Sequence, residues 1–280
     1  MEHHFLPYKN SAISYYLYGS GDKIALCFHG YGEDASGFSF LEKYAGKAFT
    51  FYAIDLPYHG KTAWNENVDF RREHLQDIIF KITSTPSGQV PTDKFHDPAF
   101  KITLLGFSLG GRIALSLYET MPQLVEKIVL LAPDGLKINF WYWLSTQTWP
   151  GNKFFRYTMK SPEWFFVLLR GLNKLKLVNT SIFKFVNHYI GDKNVREDLY
   201  KRWTCLRRLK PHLKKIKSHI KTNKTQVRLL YGKHDRIILP ARAEKFRRGI
   251  ENDCSLRVID SGHQVLHEKH AQEIVKSLMV

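Results

Sequence analysis

The sequence predicts an α/β fold: a mostly parallel, twisted sheet with helices on both faces, interrupted late in the chain by a basic, aromatic-rich insert. Three observations predict it. Short apolar runs bounded by turn residues alternate with helical patterns along most of the 280 residues, the order that a parallel sheet produces. One such run, Ile102 to Leu105, ends in Gly106-Phe107-Ser108-Leu109-Gly110 and passes at once into a helical pattern with Ile113 and Leu117 on one face. Between residues 137 and 221 the composition changes to about 19 Lys and Arg against about 4 Asp and Glu, and five of the six tryptophans lie there.

Strands are expected at 13–18, 24–28, 49–54, 102–105, 128–131, 227–231 and 256–259, each a run of β-branched, aromatic or aliphatic residues of strand length. Helical periodicity falls at roughly 71–83, 110–120, 240–250 and 265–279. The polar stretch STPSGQVPTDKFHDPAF before the 102–105 strand is long for a connection and reads as a surface excursion. Residues 1–135 and 223–280 are assigned to the core and 136–222 to the basic, aromatic-rich insert. Because the 137–221 segment carries a charge near +15 of the formal +16, the core is expected to be close to neutral.

The chain is long enough to bury one large core. MEHHFLPYKN has no apolar stretch of signal-peptide length, and no run approaches the ~18 to 20 apolar residues that span a bilayer. Cys27, Cys205 and Cys254 form neither a disulfide framework nor a metal spacing. They predict reduced, structural thiols in a cytoplasmic protein. No metal site, cofactor fingerprint, phosphate loop or internal repeat is present in the pattern, and nothing resembles a nucleic-acid-binding module.

Gly106 to Gly110 carries chemistry because a serine hydroxyl is a poor nucleophile unless it is held clear of its neighbours beside a base. A strained turn between strand and helix holds it so, and glycines two residues either side let the two backbones nearly touch. His263 is the candidate base: it follows Gly262 in the last strand-to-helix loop. Asp235, three residues after Gly232 at the end of the 227–231 strand, is the candidate acid that orients the imidazole. Asp134, which also follows a strand, is its rival.

These motifs resemble those of the capped α/β-hydrolases, in the order Ser, Asp, His. ALCFHGYGED is similar to the family's oxyanion loop, AIDLPYHGKT to its D-L-P-G-H-G-x-S segment, and GFSLGG, YGKHD and SGH to its triad positions. The resemblance implies an α/β-hydrolase fold whose 136–222 insert is a helical cap, with Ser108 as nucleophile, Asp235 as acid and His263 as base. It implies an oxyanion hole from the backbone N–H groups of Tyr31 and Leu109. His29, Gly32, Asp55 and His59 would hold the loops in shape. Tyr58 stands where the family usually has glycine, so a different local path is expected there.

The expected activity is hydrolysis of an ester or thioester through an acyl-serine intermediate, without a cofactor. In Ser108-Leu109-Gly110-Gly111-Arg112 the chain is also similar to the succinyl-hydroxycyclohexadiene-carboxylate synthase of menaquinone biosynthesis. That similarity implies a substrate-binding Arg112, beside Phe107, and opens C–C bond hydrolysis or a lyase or synthase reaction on a carboxylate substrate. A non-catalytic binding protein of the same fold is the alternative from another class. The basic, aromatic insert predicts an acyl or anionic small-molecule substrate, or peripheral contact with an anionic membrane through the cap.

Overall fold

The computed structural model describes residues 1–66, 68–84, 97, 99–174 and 190–280. Most of the expected surface excursion before the 102–105 strand lies outside them. The chain divides into two compact units, Met1–Lys137 with Arg208–Val280, and Ile138–Arg207.

The first unit is built on eight strands: β1 (Glu2–Tyr8), β2 (Ser11–Tyr18), β3 (Lys23–Phe28), β4 (Phe49–Ile54), β5 (Ile102–Phe107), β6 (Val125–Leu131), β7 (Gln226–Gly232) and β8 (Cys254–Ile259). They lie in the order β1-β2-β4-β3-β5-β6-β7-β8. β1 and β2 pair antiparallel, β2 meets β4 antiparallel, and the remaining pairs are parallel. Every residue of β4 and β5 is buried. Successive side chains point to opposite faces of a strand, so both faces of the sheet are covered.

The helices of this unit are α1 (Leu41–Ala45), α2 (Arg72–Thr83), α3 (Leu109–Tyr118), α8 (Leu213–Asn223), α9 (Ala241–Arg247) and α10 (Ala271–Met279). All ten residues of α3 are buried, the polar Arg112 and Ser116 among them. It lies against β3, β5 and β6, with α2 packed on it, whereas α10 lies against β6 and β7 with α1 packed on it.

Strand order reverses at β3, from which the chain goes first to β4 on one side and then to β5 on the other. Such a switch point leaves a crevice outside the carboxyl ends of the two central strands, where ligands bind in open α/β sheets. The register pairs Phe28 with Gly106. The residues that follow β3 and those that follow β5 therefore emerge side by side.

The edge strand β1 has no counterpart in the sequence expectation. Its histidines and Pro7 mask the pattern, and a proline is tolerated there because the strand pairs only with β2. The final helix is shorter than its 265–279 expectation, because residues 261–270 carry the loop and a 3₁₀ turn at Glu268–His270.

The second unit contains α4 (Phe140–Gln147), α5 (Trp149–Lys160), α6 (Glu163–Lys174) and α7 (Lys193–Cys205) among its described residues. Asn139, Thr148 and Asp192 cap α4, α5 and α7 with side-chain acceptors. The unit ends at Arg207, so residues 208–222, placed in the insert on charge alone, belong with the first unit. Glu119, at the end of α3, explains the difference. Its buried carboxylate accepts from the His212 N–H at 2.9 Å and pairs with Arg72 at 2.9 Å and Lys215 at 3.9 Å, while Ile216 and Ile220 of α8 are buried.

The expected near-neutral core is corrected with it. Residues 138–207 hold twelve Lys and Arg against four Asp and Glu, a net +8, and the other half of the chain's +16 lies in the first unit.

Lys224 ends α8 in the left-handed conformation at φ 55° and is exposed. An L-residue there costs about 1 kcal/mol relative to glycine. Lys224→Gly is expected to raise the unfolding free energy by roughly that amount in urea titrations. A decrease would show that the lysine side chain stabilises the helix end by more than its backbone costs.

Candidate active site

Ser108 sits between β5 and α3 at φ 49°, ψ −114°, a backbone conformation that costs about 1–3 kcal/mol and persists only where its surroundings hold it. Its N–H donates to Leu131 O at 2.9 Å, and its carbonyl accepts from Asp134 N at 2.8 Å and Gly111 N at 3.0 Å. The turn is thereby tied to the end of β6 and to the first turn of α3. A Cβ at Gly110 would overlap the carbonyl of Phe28. Only glycine lets α3 start this close to the end of β3.

The last two strands bring up the other groups. A Cβ at Gly232 would overlap the Gly262 carbonyl, so the end of β7 touches the histidine loop. His234 N donates to Ser261 O at 2.9 Å across the same junction. Asp235 is buried, and its Oδ1 accepts from the N–H groups of Ile237 at 2.8 Å and Ile238 at 2.9 Å. Its Oδ2 lies 2.8 Å from His263 Nδ1, and His263 Nε2 lies 3.0 Å from Ser108 Oγ. A carboxylate only accepts, so the Nδ1 proton faces Asp235 and Nε2 accepts from the serine hydroxyl. Asp134 is elsewhere: its carboxylate faces Arg112 Nε at 3.5 Å and the Gly135 N–H at 2.7 Å.

Leu109 follows Ser108 directly, and Tyr31 lies in the loop after β3. Leu109 is the first residue of α3, where N–H groups have no acceptor within the helix. Tyr31 follows Gly30 in the loop after β3, and its ring meets His59 edge-on at 5.8 Å. The loop is pinned from behind. His29 Nε2 accepts from Leu56 N at 3.0 Å and its Nδ1 lies 2.8 Å from Gly30 O. The imidazole is therefore neutral, with its proton on Nδ1.

Buried Asp55 accepts from Ala35 N at 2.7 Å, Ser14 Oγ at 2.7 Å and Lys61 N at 2.9 Å. His59 Nδ1 lies 2.9 Å from Pro57 O. Tyr58 adopts φ 62°. The tyrosine thus occupies the left-handed region that glycine favours.

Phe107 is buried, with its ring 5.4 Å from that of His263 and against Gly30. It props the imidazole and the loop after β3. Arg112 is buried and turned toward Asp134, which holds the loop after β6 beside the elbow.

Two further residues join the site that the sequence did not single out. Glu33 Oε2 accepts from Gly30 N at 3.2 Å, and its Oε1 accepts from Gln264 Nε2 at 2.9 Å. This bridge links the loop after β3 to the residue following His263. Burial pushes the Glu33 carboxyl above its ordinary range, offset in part by those two hydrogen bonds and by His263. The one signal in the sequence was their adjacency to Tyr31 and His263. Gln264→Ala is expected to lower kcat on the order of 10-fold to 100-fold by loosening the two loops, read from initial rates on a p-nitrophenyl ester. An unchanged kcat would show that the bridge does not position them.

Neither Cys27 nor Cys254 competes with the serine. Burial pushes the Cys27 thiol up and that of Cys254 to about 12, so neither is a thiolate at neutral pH. Among the described residues no three His, Cys, Asp or Glu stand together in a way that could hold a metal ion.

The sequence profile described as "Serine aminopeptidase, S33" matches residues 19–270. The chain belongs to this family of α/β-hydrolases. Among curated relatives of this S33 chain is the pimeloyl-[acyl-carrier protein] methyl ester esterase of Salmonella newport, 24% identical over 141 residues. That match spans 50% of this chain and 46% of the relative, so it covers about half the length of the curated relatives.

Solved structures are similar over nearly the whole length. A thermophilic esterase from Thermogutta terrifontis has a TM-score of 0.65 at 16% identity, covering 99% of this chain and 98% of that one. The thioesterase domain of the curacin biosynthetic pathway has a TM-score of 0.60 at 15% identity, covering 100% and 99%. These likenesses establish the α/β-hydrolase fold. Among the described residues no helix is long and apolar enough to cross a membrane.

Proposed function

We propose that this chain is a serine hydrolase that cleaves an acyl ester or thioester through an acyl-serine intermediate. The observation that carries the reading is the His263 imidazole, held between Asp235 Oδ2 at 2.8 Å and Ser108 Oγ at 3.0 Å. His263 Nε2 takes the serine proton as Oγ attacks the carbonyl, and Asp235 stabilises the imidazolium that forms. The N–H groups of Leu109 and Tyr31 receive the developing oxyanion, the main electrostatic contribution in acyl transfer. The imidazolium returns its proton to the leaving group. Water activated by His263 then attacks the acyl-serine and releases the acid.

Esterase and thioesterase names among the similar proteins support acyl transfer to water. The net +16 supports an anionic substrate, which a positive field draws in. The pairing of Arg112 Nε with Asp134 at 3.5 Å supports a loop-holding role for this arginine over carboxylate binding.

Hydrolysis of p-nitrophenyl esters and acyl thioesters of graded chain length tests the proposal, run beside labelling with a fluorophosphonate. Turnover with labelling supports it, and the chain-length profile sizes the acyl site. Labelling without turnover of any ester or thioester would replace it with C–C bond chemistry at the same serine. Absence of both in the folded protein would favour a non-catalytic binding role.

A further inference from the structure

The second unit carries a helix whose outer face matches neither a solvated surface nor a buried one. In α5, Phe155, Thr158 and Met159 are buried and form its inner face. Trp149, Lys153, Phe154, Arg156, Tyr157 and Lys160 are exposed, and at 100° per residue they share an arc of about 160°. Water does not explain the aromatics: Trp149 is 72% exposed and Phe154 and Tyr157 are 58% exposed. Large contiguous exposed apolar surface marks an interaction site.

The cations decide what kind of site. The α5 sequence WPGNKFFRYTMK contains three and no acid, and its unit holds twelve against four. Lys153 Nζ lies 3.9 Å over the Trp149 ring, so charge and aromatic surface are presented together. The surface continues onto α6. Phe154 meets Trp164 at 5.0 Å between ring centroids, and Val167 and Leu168 beyond it are exposed, beside Arg170 and Lys174.

A second copy of the chain fits this face poorly, because a two-fold contact would set like charges against each other. An anionic bilayer fits it: basic residues supply attraction to lipid phosphates, and aromatic rings rest at the headgroup level.

We propose that the outer face of α5 docks this protein on the surface of an anionic lipid bilayer. The docking is peripheral and reversible, with Trp149, Phe154 and Tyr157 at headgroup depth and Lys153, Arg156 and Lys160 against the phosphates. It requires no acyl-serine chemistry at Ser108.

Flotation of the full chain with vesicles of phosphatidylcholine alone, and of phosphatidylcholine with 30% phosphatidylglycerol added, tests it. Binding is expected on the anionic vesicles only and weakens as salt rises from about 50 to 500 mM. The triple variant Lys153→Gln, Arg156→Gln, Lys160→Gln is expected to bind about 100-fold more weakly, about five-fold per cation. Trp149→Ala with Tyr157→Ala is expected to bind about ten-fold more weakly. Both variants should keep the parent's circular dichroism and ester turnover, since every substituted side chain is exposed.

Absence of binding to the anionic vesicles at 50 mM salt would overturn the proposal, as would binding that neither folded variant weakens. A dimer in sedimentation velocity that the aromatic variant dissociates, with no vesicle binding, would assign the face to a second copy instead.

Discussion

Ser108→Ala is expected to lower kcat by about 10⁶-fold while leaving the fold intact. The residue contributes one hydroxyl to the site, and that hydroxyl is the proposed nucleophile. Removing it leaves only what the oxyanion donors and substrate binding supply, and loss of a triad serine costs about that factor. The fold should change little, because the side chain makes a single hydrogen bond, to His263, worth about 1 kcal/mol.

The elbow sharpens this expectation. At φ 49°, ψ −114° the position suits glycine better than any residue with a Cβ. Ser108→Gly should therefore be equally inactive and more stable than Ser108→Ala by about 1 kcal/mol in urea titrations. A stability gain that accompanies loss of activity would identify the strain as the cost of presenting the hydroxyl. Equal stability of the two variants would contradict that account.

Asp235→Asn is expected to lower kcat by about 10⁴-fold at neutral pH. Two backbone donors, Ile237 N–H and Ile238 N–H, fix Oδ1, so an asparagine keeps its oxygen there and turns its NH₂ toward His263. The imidazole must then accept at Nδ1 and carry its proton on Nε2, facing Ser108 Oγ instead of accepting from it. The base is present but in the wrong tautomer. The two backbone bonds survive, so the unfolding midpoint should stay close to the parent's. A loss of only a few-fold in kcat would show that His263 does not depend on Asp235 for its orientation.

How much of this was legible in the sequence differs by residue. The ends of β5 and β7 announce themselves as apolar runs closed by glycine, because backbones that touch leave no room for a Cβ. Gly110 against Phe28 and Gly232 against Gly262 are the physical form of that signal. The sequence pattern put Asp235 ahead of its rival Asp134, and the fold supplies the physical reason. Both follow strands, and only the sheet order, which sets β7 beside β8, brings one of them to His263.

The resemblance implied a substrate-binding Arg112, and its neighbour in the fold, Asp134, is twenty-two residues away along the chain. The bridge from Glu33 to Gln264 was invisible for the same reason, since its partners are 231 positions apart. Composition misled at one boundary. The basic run crosses from the second unit into α8 without a break, and the compensating charge, Glu119, lies at the end of α3. Tyr58 shows the limit of reading conformation from residue type: a position suited to glycine carries a tyrosine at φ 62°.

The central claim is an acyl group carried on Ser108, and rapid-quench kinetics with a p-nitrophenyl ester measure it directly. The account predicts a burst of p-nitrophenol approaching one equivalent per chain where deacylation is slow. Intact-mass analysis of the quenched protein would show one added acyl group, mapped by proteolysis to the peptide containing Ser108 and absent from Ser108→Ala. Turnover that survives in Ser108→Ala, or an acyl group mapped to another residue, would contradict it.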